Sequence, residues 1–244
     1  MLLRRLLLLG LMIVADAPAL AVEVGAFPAR TWDIRQIRLG EDYPDPPFYA
    51  LAQSREGLIY AGDRSGVIEF DGKNWRRLPL PIQTAVNVLG VTRSGELVVG
   101  GAETLLLVPN LREPDRVVDV GMTVPGGLHG SGAFWEFAES DQQWCVRSPG
   151  LLVCSKADGF SAFRAAKEFG RMFQTTHGIL IEVDGAGLSE VTSHGPELIA
   201  GGDIFVDKPI STLVEFPDGS QVAVVHKPQS LWMLREKDDP TRIA

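Results

Sequence analysis

An all-β fold built from repeated four-stranded modules is predicted by three observations. A phrase of apolar strand, polar turn and second apolar strand recurs along the chain, with copies at Phe48–Gly62, Val86–Gly100, Phe134–Gln142, Met172–Ile181 and Ser211–Val224. Its period is near 40 residues: Gly57, Gly95, Gly178 and Gly219 are separated by 38, 83 and 41, the middle step spanning two modules. Turn signals recur every 8–12 residues between short alternating runs, and no long stretch keeps a helical period. Mostly strand content at this period describes propeller blades of four strands. About five are counted, at 42–81, 82–125, 126–166, 167–206 and 207–244.

The N-terminus precedes the repeats. Arg4 and Arg5, the apolar run Leu6–Val14 and Ala19-Leu20-Ala21 have the plan of a cleaved export signal over residues 1–21, with the cut between Ala21 and Val22. The apolar run is far short of the roughly 20 residues that span a bilayer as a helix. The chain after Val22 is therefore expected in the periplasm or outside the cell. Thr31–Ile37 alternates like a strand and lies before the first inner strand. In closed propellers such a segment commonly completes the last blade.

Blade 1 is the clearest. Phe48–Gln53 is its inner strand, Gly57 turns into Leu58–Ala61, Arg64-Ser65-Gly66 into Val67–Phe70, and Asp71-Gly72 into Trp75–Leu78. Asp-Gly supplies the positive φ that tight hairpins need. Further on, Gln142–Arg147 and Leu151–Ser155 read as strands joined at Ser148-Pro149-Gly150. If 147 faces 152, then Cys145 faces Cys154, within disulfide reach. The pair reads as a hairpin staple in an oxidising compartment, the alternative being two small buried apolar residues. The stretch 162–169 reads as one helical turn.

In the 244-residue chain, 45% hydrophobic and 22% charged residues suffice for a core, and 26 Gly with 16 Pro indicate many turns. A formal net charge of −8 argues against nucleic acid or an anionic membrane as partner.

Gln53-x-x-x-Gly57-x-Ile59-Tyr60-x-Gly62, followed by Gly66-Val67-x-Glu69-Phe70-Asp71-Gly72-x-x-Trp75, resembles the two-component regulator propeller repeats. These form periplasmic sensor regions of hybrid histidine kinases, some diguanylate cyclases and related regulators. The resemblance implies seven blades, a membrane helix and a cytoplasmic output domain. About five units make this an incomplete seven-bladed propeller, expected to be the N-terminal part of a longer sensor or the partner of a separate membrane-bound kinase or cyclase chain, with a homodimer as one arrangement.

Catalytic signatures are missing: no G-x-S-x-G elbow, H-E-x-x-H or P-loop occurs, and Gly121–Gly132 has no following helix to cradle phosphate. His177 and His194 read as solvated turn residues, His129 sits in the glycine-rich connection and His226 ends a strand; as lone histidines at these spacings they make neither a metal nor another cofactor expected. Glu136 and Glu215 fall in inner-strand copies that face a channel. Inner strands line a propeller's centre, so Tyr49, Asn87, Trp135, Arg171 and Thr212 are the candidate contacts for a small polar or sugar-like ligand. Trp75 and Trp144 are expected to fill gaps between blades. The expected function is non-enzymatic ligand sensing; a secreted propeller hydrolase or lyase and a protein-interaction scaffold are the alternatives.

Overall fold

The computed structural model describes residues 47–81, 84–235 and 238–243. The segments expected to be an export signal with its cleavage site and a strand at 31–37 lie outside the described residues. The rest forms five four-stranded antiparallel meanders, the blades of an all-β propeller. Blade 1 is β1 (Ala50–Gln53), β2 (Ile59–Asp63), β3 (Gly66–Phe70) and β4 (Trp75–Arg77). Blade 2 is β5 (Val86–Val91), β6 (Leu97–Gly101), β7 (Thr104–Val108) and β8 (Val118–Asp119). Blade 3 is β9 (Glu136–Glu139), β10 (Trp144–Arg147), β11 (Leu151–Lys156) and β12 (Gly159–Arg164). Blade 4 is β13 (Phe169–Gln174), β14 (Ile179–Val183), β15 (Gly187–Thr192) and β16 (Gly195–Leu198). Blade 5 is β17 (Ile210–Glu215), β18 (Gln221–Val225), β19 (Ser230–Arg235) and β20 (Asp238–Arg242).

The turns follow local chemistry. Gly57, Gly95 and Gly219 close the first hairpins of blades 1, 2 and 5 with φ of 91°, 90° and 81°, where a side chain would be strained. The helical turn expected at 162–169 is not formed. Ala162 and Phe163 pair with Val153 and Leu152, and Phe169 opens β13, because the apolar residues at both ends of the stretch are drawn into sheets and only 165–168 are left to connect them.

Blade packing repeats one row of positions. Reading across the second, third and fourth strands, Tyr60–Glu69–Arg76, Val98–Leu107–Val118, Cys145–Cys154–Ser161 and Leu180–Glu190–Glu197 are matching register partners in blades 1 to 4. The neighbouring third-strand residues Val67, Leu105, Leu152 and Leu188 are fully buried. Four apolar clusters result, each joining one blade to the next. Trp144 is buried in the cluster between blades 2 and 3, whereas Trp75 stacks on Phe70 within its own blade at 4.7 Å.

Cys145 and Cys154 lie directly opposite in register, 4.1 Å apart at Cα, joined by a disulfide inside the packing row. Blade 5 presents Val222, Leu231 and Met233 at the corresponding positions. These three are only half-buried, and Val214 beside them is 49% exposed.

Candidate functional site: a cleft between blades 4 and 5

The inner strands share an irregularity at their first rung. Extra residues break the register of β5 between Val86 and Val88, of β13 between Phe169 and Met172, and of β17 between Ile210 and Thr212. In blades 1 and 3, Tyr49 and Trp135 donate from the backbone to the carbonyls of Gly62 and Arg147, each the register partner of the next residue. Counted back from the last inner-strand residue, Tyr49, Asn87 and Trp135 are level. The level residues in blades 4 and 5 are Gly170 and Ser211. Arg171 and Thr212, named from sequence, sit one residue further on, because the bulge cannot be located without the pairing.

Tyr49 and Trp135 are solvent-exposed, and the Tyr49 hydroxyl accepts from Arg64 at 2.9 Å. Arg171 reaches across to the carbonyl of Ser211. Its counterpart Glu136 likewise bridges blades, accepting from Met172 N–H at 2.7 Å and from Arg147 at 2.9 Å. Positions expected to meet a ligand are thus partly spent on joining blades. Glu215 also turns back to the preceding blade, where it accepts from the N–H and hydroxyl of Thr176 at 2.8 and 2.7 Å. Burial pushes its carboxyl up, but the Thr176 bonds outweigh this and hold it below the ordinary range.

The best-formed concavity lies instead between blades 4 and 5 and has a volume of about 370 Å³. Leu180, Ile199, Ala200, Leu234 and Pro240 supply apolar lining; Thr175, His177, Glu190, Gln221, Arg235 and Asp238 supply polar groups. A shallower hollow continues from His177 and Gly219 around Glu215 and Asp218. Mostly apolar walls with a few converging polar groups are what small-molecule sites offer.

Two glycines keep the cleft open. A Cβ on Gly219 would approach His177 Nε2 to 2.9 Å, and one on Gly178 would approach Glu190 Oε1 to 3.0 Å. Gly178 does not have the positive φ of the other turn glycines, so clearance rather than turn geometry explains it. From sequence His177 reads as a solvated turn residue, and nothing in the local pattern singles out Glu190. The turn is there, but the packing of blade 5 beside it makes the cleft. His129 and His194 are exposed elsewhere, and His226 borders a separate shallow hollow with Ser211 and Gln229. Among the described residues no group of three or more His, Cys, Asp or Glu side chains is placed to hold a metal ion.

No protein-family model matches this sequence, and no curated protein matches it. Solved propellers do match in shape. A streptogramin B lyase superposes with a TM-score of 0.55 at 14% identity, over 83% of this chain and 70% of that one. YCF48 bound to a D1 peptide gives 0.57 at 10% identity, over 88% and 71%. The extracellular domain of the hybrid two-component system BT4673 from B. thetaiotaomicron gives 0.50 at 13% identity, over 86% of this chain but 34% of that one. These likenesses establish the propeller fold.

Proposed function

We propose that this chain is the ligand-sensing module of an extracytoplasmic receptor, binding a small polar molecule between blades 4 and 5 without transforming it. The observation that carries the reading is the cleft, an apolar-floored hollow with polar groups at its edge at a blade junction, where occupancy changes how two blades meet. The repeat resemblance and the likeness to an extracellular domain of a two-component system support the same reading. Export through residues 1–21 delivers the module to the periplasm or cell exterior. A membrane kinase or cyclase module, in a longer chain or a separate one, receives the signal, and the half-exposed face of blade 5 is the seat of a further blade of such a sensor.

Thermal-shift screening against monosaccharides, disaccharides and small amines tests this. A stabilising compound recovered unchanged in mass supports the sensor. The lyase likeness favours one competing reading, a secreted lyase, which requires the bound compound to return cleaved. N-terminal sequencing of exported protein should begin at Val22.

A further inference from the structure

The cleft reading can be sharpened to a ligand class by comparing blade 4 with blade 1. At the third-strand position of the packing row, two blades place apolar side chains, Leu107 and Cys154, buried against the next blade. Blades 1 and 4 place carboxylates there, Glu69 and Glu190. In blade 1 the register partner of Glu69 on the outer strand is Arg76, whose Nε donates to Oε1 at 2.6 Å. The carboxylate is answered within its own sheet.

Blade 4 has the opposite arrangement. The register partner of Glu190 is Glu197, a second carboxylate on the same face. Like charges directly opposite on neighbouring strands repel. Glu197 accepts from the Thr192 hydroxyl at 2.9 Å, while the Glu190 carboxylate, which is exposed, makes no hydrogen bond or ion pair among the described residues. Glu190 lines the cleft, and the absence of a Cβ at Gly178 leaves its Oε1 approachable. Arg235 is the guanidinium in the lining, but its own register partner is Asp238, and it also acts on Asp218. His177 is the remaining basic group in the lining.

We propose that the cleft takes a ligand bearing an ammonium group on an apolar body, with Glu190 as the ion-pair partner, Glu197 reinforcing its charge, and Leu180, Ile199 and Leu234 receiving the body. The ligand cation takes the place that Arg76 fills in blade 1. This rests on the cleft being the ligand site.

Isothermal titration of the purified chain with 2-phenylethylamine, 2-phenylethanol and 3-phenylpropanoate tests the charge preference. The amine should bind roughly tenfold more tightly than the alcohol, with the anion weakest. Glu190→Gln should abolish the difference between amine and alcohol, and Glu197→Gln should reduce it. Alcohol binding as tightly as amine, or a preference surviving in Glu190→Gln, overturns the ammonium assignment while leaving the cleft as a site. No binding by any of the three overturns both. A ligand-free arm stands apart: Glu190→Gln should raise the melting temperature by about 1–3 °C by removing the repulsion. A lower melting temperature would mean that Glu190 has a partner within the protein, and the proposal would fail.

Discussion

At the residue scale, the acidic side chains divide by what meets them. Asp63 is fully buried, and burial alone would push its carboxyl up, but Arg77, at 3.2 and 2.7 Å, and the N–H and hydroxyl of Ser65 outweigh this and hold it below the usual range. A depressed folded-state value gives stability that is present above the unfolded value near ~3.9 and is lost as pH falls through the folded one. Asp63→Asn should therefore cost about 1–3 kcal/mol at neutral pH and flatten the acid limb of the stability curve, measured by urea unfolding between neutral pH and pH ~3. Glu182 behaves oppositely: burial pushes its carboxyl up, although it accepts from Ile210 N–H at 2.7 Å and Arg171 N–H at 3.0 Å. Apart from the local Asp63–Ser65 turn, these pairings could not be read from sequence, because they join residues brought together only by the meander of the strands or by the approach of the next blade.

The hairpin is the element that sequence disclosed best. The turn at Ser148-Pro149-Gly150 sets which side chains oppose, so with 147 facing 152 the opposition of Cys145 and Cys154 followed from counting, and the structure has that register. The bulges at the start of the inner strands were not legible, since each lies at the first rung, where too few strand residues precede it to show a break in the alternation. Closing a loop of about 10 residues, the disulfide should contribute about 2–3 kcal/mol, so reduction or Cys145→Ser with Cys154→Ser should lower the melting temperature by roughly 5–10 °C. An unchanged melting temperature would mean that the bridge does not form in the folded protein. Between elements, Gly90 on β5 admits the Phe137 ring of blade 3, and a Cβ there would come within 2.3 Å of the ring. Gly90→Ala should cost about 1–3 kcal/mol through overpacking, measured by chemical denaturation.

At the scale of the whole molecule, a row of side chains repeated in each blade locks it onto the next. The 40-residue period was visible because turn glycines and apolar runs are local features. The cleft was not, because it exists only where Glu190 replaces an apolar residue of that row and blade 5 stands beside it. The row also predicts a contrast between chemically equal substitutions. Leu188→Asp, at a fully buried position facing blade 5, should prevent folding or cost more than about 4 kcal/mol. Leu231→Asp, at the matching position of blade 5, should change the melting temperature of this chain by no more than about 2–3 °C, because that face is half-open. Hydrogen exchange on the chain with each sugar and amine of the screening panel, followed by weighing the recovered compound, tests the central claim most directly. At least one compound should slow exchange together in residues 175–180, 187–191 and 219–221 and return with its mass unchanged. Protection confined to other blades, or a compound returned cleaved, would contradict a ligand-sensing cleft between blades 4 and 5.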